Sequence, residues 1–221
     1  MPVSCIEIII KKRGKIVINK KKRVGIMGGT FNPIHLGHLI VAENAYEELE
    51  LDEVLFIPCG MPYLKDTNEV LDPKIRISLV GEAIDDNPHF AMSTIEVDRG
   101  GNSYSYETIE ELKKANPDID YFFLVGADSL FSIEEWKYPE KIFEQVTVAV
   151  AIRSGYTPEG LDAQIKALEE KYRAKILKLP CRSVDISSTQ IRERVKNNKS
   201  IRYMVRYKTE QVIRKNGLYL N

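Results

Sequence analysis

Val24-Gly25-Ile26-Met27-Gly28-Gly29-Thr30-Phe31-Asn32-Pro33-Ile34-His35-Leu36-Gly37-His38 is the stretch whose reading decides the fold. Its first four residues are apolar or glycine, as in a strand buried on both faces of a parallel sheet. Its last four open a helix, because Leu36, Leu39, Ala42, Tyr46 and Leu49 form an apolar stripe at helical spacing. A strand, a Gly-rich turn and a helix start make the opening of a nucleotide-binding β–α unit. Gly28 and Gly29 let backbone approach a phosphate with no Cβ in the way. The helix start behind them presents unpaired N–H groups and a partial positive charge. His35 and His38 share one face of that first turn, with Cβ atoms roughly 5–6 Å apart. Two imidazoles aimed at an anion site point to chemistry on a phosphate as well as binding. A metal pair would need further ligands, and the remaining histidine of the three is His89.

Beyond this unit, Val54–Pro58, Phe90–Met92, Tyr121–Val125, Val146–Val150 and Lys175–Leu179 read as strands. Between them lie helical segments. One is capped by Asp72 with Pro73 at its first position and runs through Val80. Others cover Tyr106–Ala115, a short stretch from Pro139, and Leu161–Tyr172. Ser187-Ser188-Thr189-Gln190 is a capping-box pattern opening Ile191–Lys196. A last helix spans Val205–Lys215 and stops at Asn216-Gly217. This alternation predicts an α/β fold with a doubly wound, mainly parallel sheet. Cys59–Asp66 and Gly126–Ser129 leave strand ends as loops, where open α/β sheets hold their ligands. Asp98–Ser103 is a further turn-rich loop.

The chain has 221 residues, 43% hydrophobic and 29% charged, which suits one sizeable domain. Its formal net charge is zero, so no global field favours nucleic acid or an anionic membrane. No apolar run approaches the ~18 residues of a membrane span, and Ile8-Ile9-Ile10 is too short for a signal peptide. Cys5, Cys59 and Cys181 are an odd number at no metal-ligand spacing, as for reduced thiols in the cytoplasm. Residues 1–23 hold eight Lys/Arg and one acid, Glu7. They read as a basic extension over 1–22, either solvated or a hairpin turning near Gly14, ahead of a single domain over 23–221.

A second group of anion-binding types stands far from the first. Ser187, Ser188 and Thr189 place three hydroxyls at a helix start, with Arg192 one turn in. Alone, this is equally a capped helix carrying a solvated arginine.

Taken together, Gly28 and Phe31 with His35-Leu36-Gly37-His38, and Ile186-Ser187-Ser188-Thr189-x-Ile191-Arg192, resemble the nucleotidylyltransferases with the His-x-Gly-His signature. The chain is more narrowly similar to bacterial nicotinate-nucleotide adenylyltransferases. That resemblance covers 23–221 and includes Phe56-Ile57-Pro58-x-Gly60, Asp98-Arg99-Gly100-Gly101-x-Ser103-Tyr104, Phe123 through Leu130 with Trp136, and Gly217-Leu218-Tyr219. It implies a Rossmann-like fold and transfer of the adenylyl group of ATP to nicotinate mononucleotide, giving the dinucleotide and pyrophosphate for NAD biosynthesis. It implies Mg²⁺ carried by ATP, with no metal held by protein ligands. His38 is expected against the β/γ-phosphates, His35 near the transferred phosphate, and Arg192 beside them as the third catalytic group. Gly28, Gly29, Thr30, Phe31, Gly126, Asp128, Ile186, Ser188 and Thr189 are the implied ATP contacts. Lys65, Ser105, Trp136 and Lys137 are the implied mononucleotide contacts. Trp136 would stack on the pyridine, and backbone N–H groups near Trp136 and Lys137 would meet the carboxylate. Asp128 is equally a cap for the short helix after it. The implied partners are the two nucleotides, with no nucleic acid and no membrane; the location is cytoplasmic, and a homodimer stays open.

Three positions depart from the family pattern. Asn32 replaces an aspartate, Met61-Pro62-Tyr63-Leu64-Lys65 stands for Pro-Pro-His-Lys, and Ser105 replaces a threonine. The rival readings are a nicotinamide mononucleotide or phosphopantetheine acceptor, a cytidylyl donor, and a nucleotide-sensing module without catalysis. Phosphopantetheine enzymes carry threonine in place of His35, and cytidylyl enzymes lack the Gly126–Asp128 and Trp136 blocks.

Overall fold

A computed structural model describes residues 10–12, 15–17, 21–63, 70–153, 157–181 and 184–220. Lys65, Cys5 and the turn at Gly14 lie outside them. β1 (Ile10–Lys12) and β2 (Lys15–Val17) pair antiparallel.

The site is carried by a six-stranded sheet of β3 (Arg23–Gly29), β4 (Glu53–Pro58), β6 (Phe90–Met92), β8 (Asp120–Gly126), β9 (Thr147–Arg153) and β10 (Lys175–Cys181). Every pairing in it is parallel, in the order β10-β9-β8-β3-β4-β6. Within this sheet the order of building starts at β3, goes outward through β4 and β6, then returns to β8 and goes the other way. That reversal makes the β3/β8 boundary the switch point, where adjacent crossovers leave to opposite faces and open a crevice beyond the strand ends.

Side-chain alternation explains the double winding. Val24 and Ile26 of β3 with Tyr121, Phe123 and Val125 of β8 enter one core. Met27 with Phe122 and Leu124 enters the other. Both faces are therefore apolar, and each demands a helical layer. One face is covered by α1 (Leu36–Glu48), α2 (Pro73–Ile84), α8 (Ser188–Lys196) and α9 (Tyr207–Lys215), through Ala42, Leu79, Ile191 and Ile213. The other is covered by α4 (Ser105–Ala115), α5 (Ala127–Phe131), α6 (Pro139–Gln145) and α7 (Leu161–Tyr172), through Ile109, Leu130, Ile142 and Leu168. Each such Leu or Ile side chain, fully buried, contributes roughly 1.5–3 kcal/mol. Gly25 is needed for close packing: a Cβ there would stand 2.8 Å from Leu51 Cδ1.

The strands and longer helices match expectation to within a few residues. Three elements do not. Gly126–Ser129 was expected as a loop, yet Gly126 closes β8 and α5 begins at Ala127. Cys59–Asp66 was expected as a plain loop, yet Met61–Pro62 (β5) pairs in parallel with Asn102–Ser103 (β7). Asp98–Ser103 was likewise expected as loop, yet its start belongs to α3 (Ile95–Arg99). All are too short to show a hydrophobic period. The helix expected from Ile191 begins earlier, at Ser188, because Ser187 caps it: its hydroxyl accepts from the Gln190 N–H at 3.1 Å. No helix among the described residues is long and apolar enough to cross a membrane.

Candidate active site

The turn after β3 runs through Thr30, Phe31 (φ 47°) and Asn32 to the start of α1. The Phe31 ring folds back into the core, 2% exposed, so anything Phe31 offers a ligand comes from its backbone. Gly29 permits that fold: a Cβ on it would meet the Phe31 ring at 3.1 Å. The same ring packs edge-on against His38, with centroids 5.1 Å apart.

The His35 and His38 rings lie against each other at a tilt of 31°, centroids 3.7 Å apart. The His35 N–H donates to His38 Nδ1 at 3.2 Å. Nδ1 is thus an acceptor, which assigns the ring proton of neutral His38 to Nε2. His35 is 8% exposed and its Nδ1 has no hydrogen-bond partner among the described residues. Burial lowers its pKa from 6.5 to about 4, so it is neutral near pH 7. Gly37 of the His-x-Gly-His signature has a steric role. A Cβ there would press His35 Nδ1 at 3.0 Å and approach the Ile186 carbonyl oxygen at 3.7 Å. The helix start is less open than expected, since the Leu36 N–H donates to the Met204 carbonyl (2.9 Å) and the His38 N–H to the His35 carbonyl (3.0 Å).

Two long-range hydrogen bonds bring the second motif here. The Ser188 hydroxyl donates to the Pro33 carbonyl at 2.8 Å, across 155 residues of sequence. Arg192 Nη1 donates to the Asn32 carbonyl at 3.1 Å, across 160. Arg192 Nη2 also reaches the Thr189 hydroxyl at 3.4 Å. The solvated-arginine alternative is therefore wrong for Arg192. Ile186 packs half-buried against the core beside α1.

Two residues to which the sequence reading gave no role hold this turn. Arg76 of α2 is fully buried and donates to the carbonyls of Leu71 (2.9 Å), Thr30 (2.8 Å) and Gly60 (2.7 Å). Its guanidinium also lies 3.7 Å from Cys59 Sγ; burial pushes that thiol's pKa up, and Arg76 opposes the push. Tyr219 donates its hydroxyl to Asn32 Oδ1 at 3.0 Å, and the Leu71 N–H donates to the same oxygen at 3.3 Å. Burial raises the Tyr219 phenol, keeping it protonated as a donor. Because these partners need only an acceptor oxygen, asparagine does here what an aspartate would. Arg76 was illegible because it reads as a surface arginine on an apolar helix; its burial depends on three separate segments meeting.

At the end of β8, Gly126 is the residue before α5, and no side chain caps that helix. Asp128 is exposed, so the capping alternative fails and its carboxylate is left facing solvent. Farther along the same edge, Gly60 is pinned: its N–H donates to Ser103 Oγ at 2.8 Å, and a Cβ would stand 2.8 Å from the Glu96 carbonyl. Tyr63 and Tyr104 follow in the chain, with half-buried Ser105 at the start of α4 and Trp136 after α5. Tyr63 and Tyr104 rings are 4.8 Å apart. Trp136 is half-buried and meets Phe123 of β8 edge-on at 6.2 Å. Lys137 is exposed, its Nζ 4.2 Å from the Tyr104 ring centre.

The donors gathered at the Gly28–His38 turn are hydroxyl, imidazole and guanidinium, the set that suits phosphate oxygens. A family model described as cytidylyltransferase-like matches residues 26–194. A protein of Lachnoclostridium phytofermentans named "probable nicotinate-nucleotide adenylyltransferase" is 42% identical over 90% of this chain and 100% of its own length. Its namesake in Clostridium beijerinckii is 44% identical over 90% of this chain and 99% of its own. The chain belongs to the cytidylyltransferase-like family, on its nicotinate-nucleotide adenylyltransferase branch. The fold agrees. A Plasmodium falciparum nicotinic acid mononucleotide adenylyltransferase, solved with NaAD, superposes with a TM-score of 0.75 at 18% identity, covering 90% of this chain and 97% of that one. The Ser188 and Arg192 bonds hold the Ser187–Arg192 segment against the Gly28–His38 turn at the end of β3.

Proposed function

We propose that this chain transfers the adenylyl group of ATP to nicotinate mononucleotide, releasing pyrophosphate, as the final assembly of a dinucleotide in NAD biosynthesis. The observation that carries the reading is the pair of bonds from Ser188 and Arg192 to the Pro33 and Asn32 carbonyls. They put an arginine and a helix start against the turn that holds two histidines. A binding-only module has no need of that convergence.

In the reaction, an oxygen of the mononucleotide 5′-phosphate forms a bond to the α-phosphorus of ATP. The bond from that phosphorus to the bridging oxygen breaks, and pyrophosphate leaves with the electron pair. The attacking phosphate is already anionic near neutral pH, so no general base is required. The protein's work is to align two anions and to stabilise charge moving onto the leaving oxygens. The Thr30 hydroxyl, the His38 Nε2–H, the Ser188–Thr189 helix start and the Arg192 fork are the proposed donors. Gly28, Gly29 and Phe31 supply backbone, and His35, neutral, near the transferred phosphate and pressed against His38, fixes the His38 ring toward the β/γ-phosphates. Each preorganised donor of this kind contributes roughly 3–4 kcal/mol to the transition state. Gly126, Asp128 and Ile186 complete the proposed nucleoside side, and Ser105, Trp136 and Lys137 the mononucleotide side.

Among the described residues, no group of three or more His, Cys, Asp or Glu is gathered to hold a metal. The hydroxyl, imidazole and guanidinium donors at the turn fit a triphosphate, and Mg²⁺ carried by ATP would neutralise part of the phosphate charge. On the family resemblance, we place the reaction in the cytoplasm.

The test is pyrophosphate release from ATP or CTP, offered with nicotinate mononucleotide, nicotinamide mononucleotide or phosphopantetheine. Release with ATP and nicotinate mononucleotide is expected to exceed every other pairing. Binding of ATP with no turnover on any acceptor would overturn the reading in favour of a sensor.

A further inference from the structure

After α9 the backbone bends to bring a phenol to the Gly28–His38 turn. Gly217 (φ 58°) reverses the chain, and the Leu218 N–H donates to the Ile213 carbonyl at 3.0 Å. Leu218 is buried in the core. Tyr219 then adopts φ 64°, a left-handed conformation that a Cβ disfavours. A bulky residue stays in that region only where its surroundings impose it. Here the Tyr219 hydroxyl donates to Asn32 Oδ1 at 3.0 Å, across 187 residues of sequence.

Several segments meet at Asn32, which is buried. Its Oδ1 also accepts from the Leu71 N–H, at 3.3 Å. An N–H can only donate, so the amide atom between the two groups is the oxygen, and the Tyr219 hydroxyl is a donor to it. The backbone carbonyl of the same residue accepts from Arg192 Nη1 at 3.1 Å. If Asn32 turns, the acceptor that orients Arg192 turns with it. The residue before it, Phe31, is left-handed as well (φ 47°), so the turn depends on bonds from outside to keep its shape. Leu71, Thr189, Arg192 and Tyr219 line one open cavity of about 530 Å³, which places the phenol and the guanidinium on the same side of the turn. The Arg192 and Arg76 charges oppose the upward push that burial gives the phenol.

We propose that Tyr219 is a positioning residue for the transfer: its hydroxyl fixes Asn32, and through the Asn32 carbonyl it holds Arg192 at the angle the transferring phosphate requires. The proposal rests on the reading that Arg192 stabilises that phosphate. In this role Tyr219 itself touches no substrate. It governs the alignment of a donor, so its loss is felt in kcat more than in the KM for ATP.

Tyr219→Phe removes the hydroxyl and keeps the ring in its packing against the core. Pyrophosphate release from ATP and nicotinate mononucleotide is measured well below the unfolding temperature, with urea unfolding alongside. The kcat of Tyr219→Phe is expected to fall about tenfold, with the KM for ATP within about twofold of wild type. In an Arg192→Ala background the same change should lower kcat no further, since the group it positions is gone. Asn32→Ala deletes the acceptor from the other end; it should reproduce the kcat loss, and adding Tyr219→Phe to it should cost nothing more. A Tyr219→Phe variant with wild-type kcat, whatever its urea midpoint, makes the hydroxyl at most a staple for the segment after α9 and overturns the proposal. Losses that multiply in either background overturn it too. Both results leave adenylyl transfer standing, because wild type turns over in each. A wild-type chain with no turnover overturns that reading and this proposal together.

Discussion

At the Gly28–His38 turn, the carbonyls of Thr30, Asn32 and Pro33 are each held by a side chain from elsewhere: Arg76, Arg192 and Ser188. At the Tyr63–Tyr104–Lys137 strip, ring meets ring and cation meets ring, with Lys137 open to solvent. The first region is a preset frame, and the second is a surface of adjustable side chains. The contrast follows from what each is proposed to bind. Charge that develops only in a transition state must find its donors already aimed, since reorganising them during the reaction would cost rate. A pyridine ring is recognised in the ground state, where flat faces and a long lysine suffice. Two of the three departures from the family pattern, through Tyr63 of the 61–65 segment and Ser105, fall on the adjustable side. The third, Asn32, falls within the frame and keeps the acceptor oxygen that the frame needs.

The sharpest way to break this comparison is at Arg76, where the frame is most buried. Arg76→Met leaves three carbonyls without their donor in the interior. It should cost about 3–5 kcal/mol of stability, read as a lower midpoint in urea unfolding. Arg76→Lys keeps the charge but cannot span all three acceptors, and should recover only part of the loss. A change within about 0.5 kcal/mol for Arg76→Met would show that the frame does not depend on it.

His35 offers a pH test of the same region. Its folded pKa of about 4 lies below the ordinary 6.5, so the unfolded chain takes up that proton first as pH falls. Stability from the neutral buried ring is complete above about pH 6.5 and drains away as pH drops toward 4. A gap of that size corresponds to about 3 kcal/mol. The difference in unfolding free energy between wild type and His35→Asn should therefore shift in favour of the variant across that window. A constant difference would mean that the ring is not held neutral by burial.

On the adjustable side, the expected effects are smaller. Trp136→Ala should raise the KM for nicotinate mononucleotide about three- to tenfold, the range of one aromatic stacking contact, and leave the KM for ATP within about twofold. Equal rises for both substrates would dissolve the distinction between the two regions.

Most of the frame's chemistry was legible in the linear sequence, while most of its support was not. The buried strands, the Gly-rich turn and the two histidines carry strong local signals: period, glycine and a helix start. Ser187–Arg192 was ambiguous alone, because a capped helix and an anion site use the same residue types. It is decided by two hydrogen bonds that no local pattern encodes. Arg76 and Tyr219 act through carbonyl and amide oxygens of distant segments, so no local pattern gives either of them that role. The β5–β7 pairing involves two residues on each side, below any detectable period. Lys137 could be placed next to Trp136 from sequence, but its Tyr104 seat is a three-dimensional fact.

A double-variant cycle on turnover with His38→Ala and Arg192→Ala bears most directly on the claim that two distant motifs form one cradle for the transferring phosphate. Each single change should lower kcat by about 10²–10³. Because both residues would act on the same transition state, the pair together should lose little more than the worse single variant. Losses that simply multiply, or a single variant with wild-type kcat, would contradict a shared cradle.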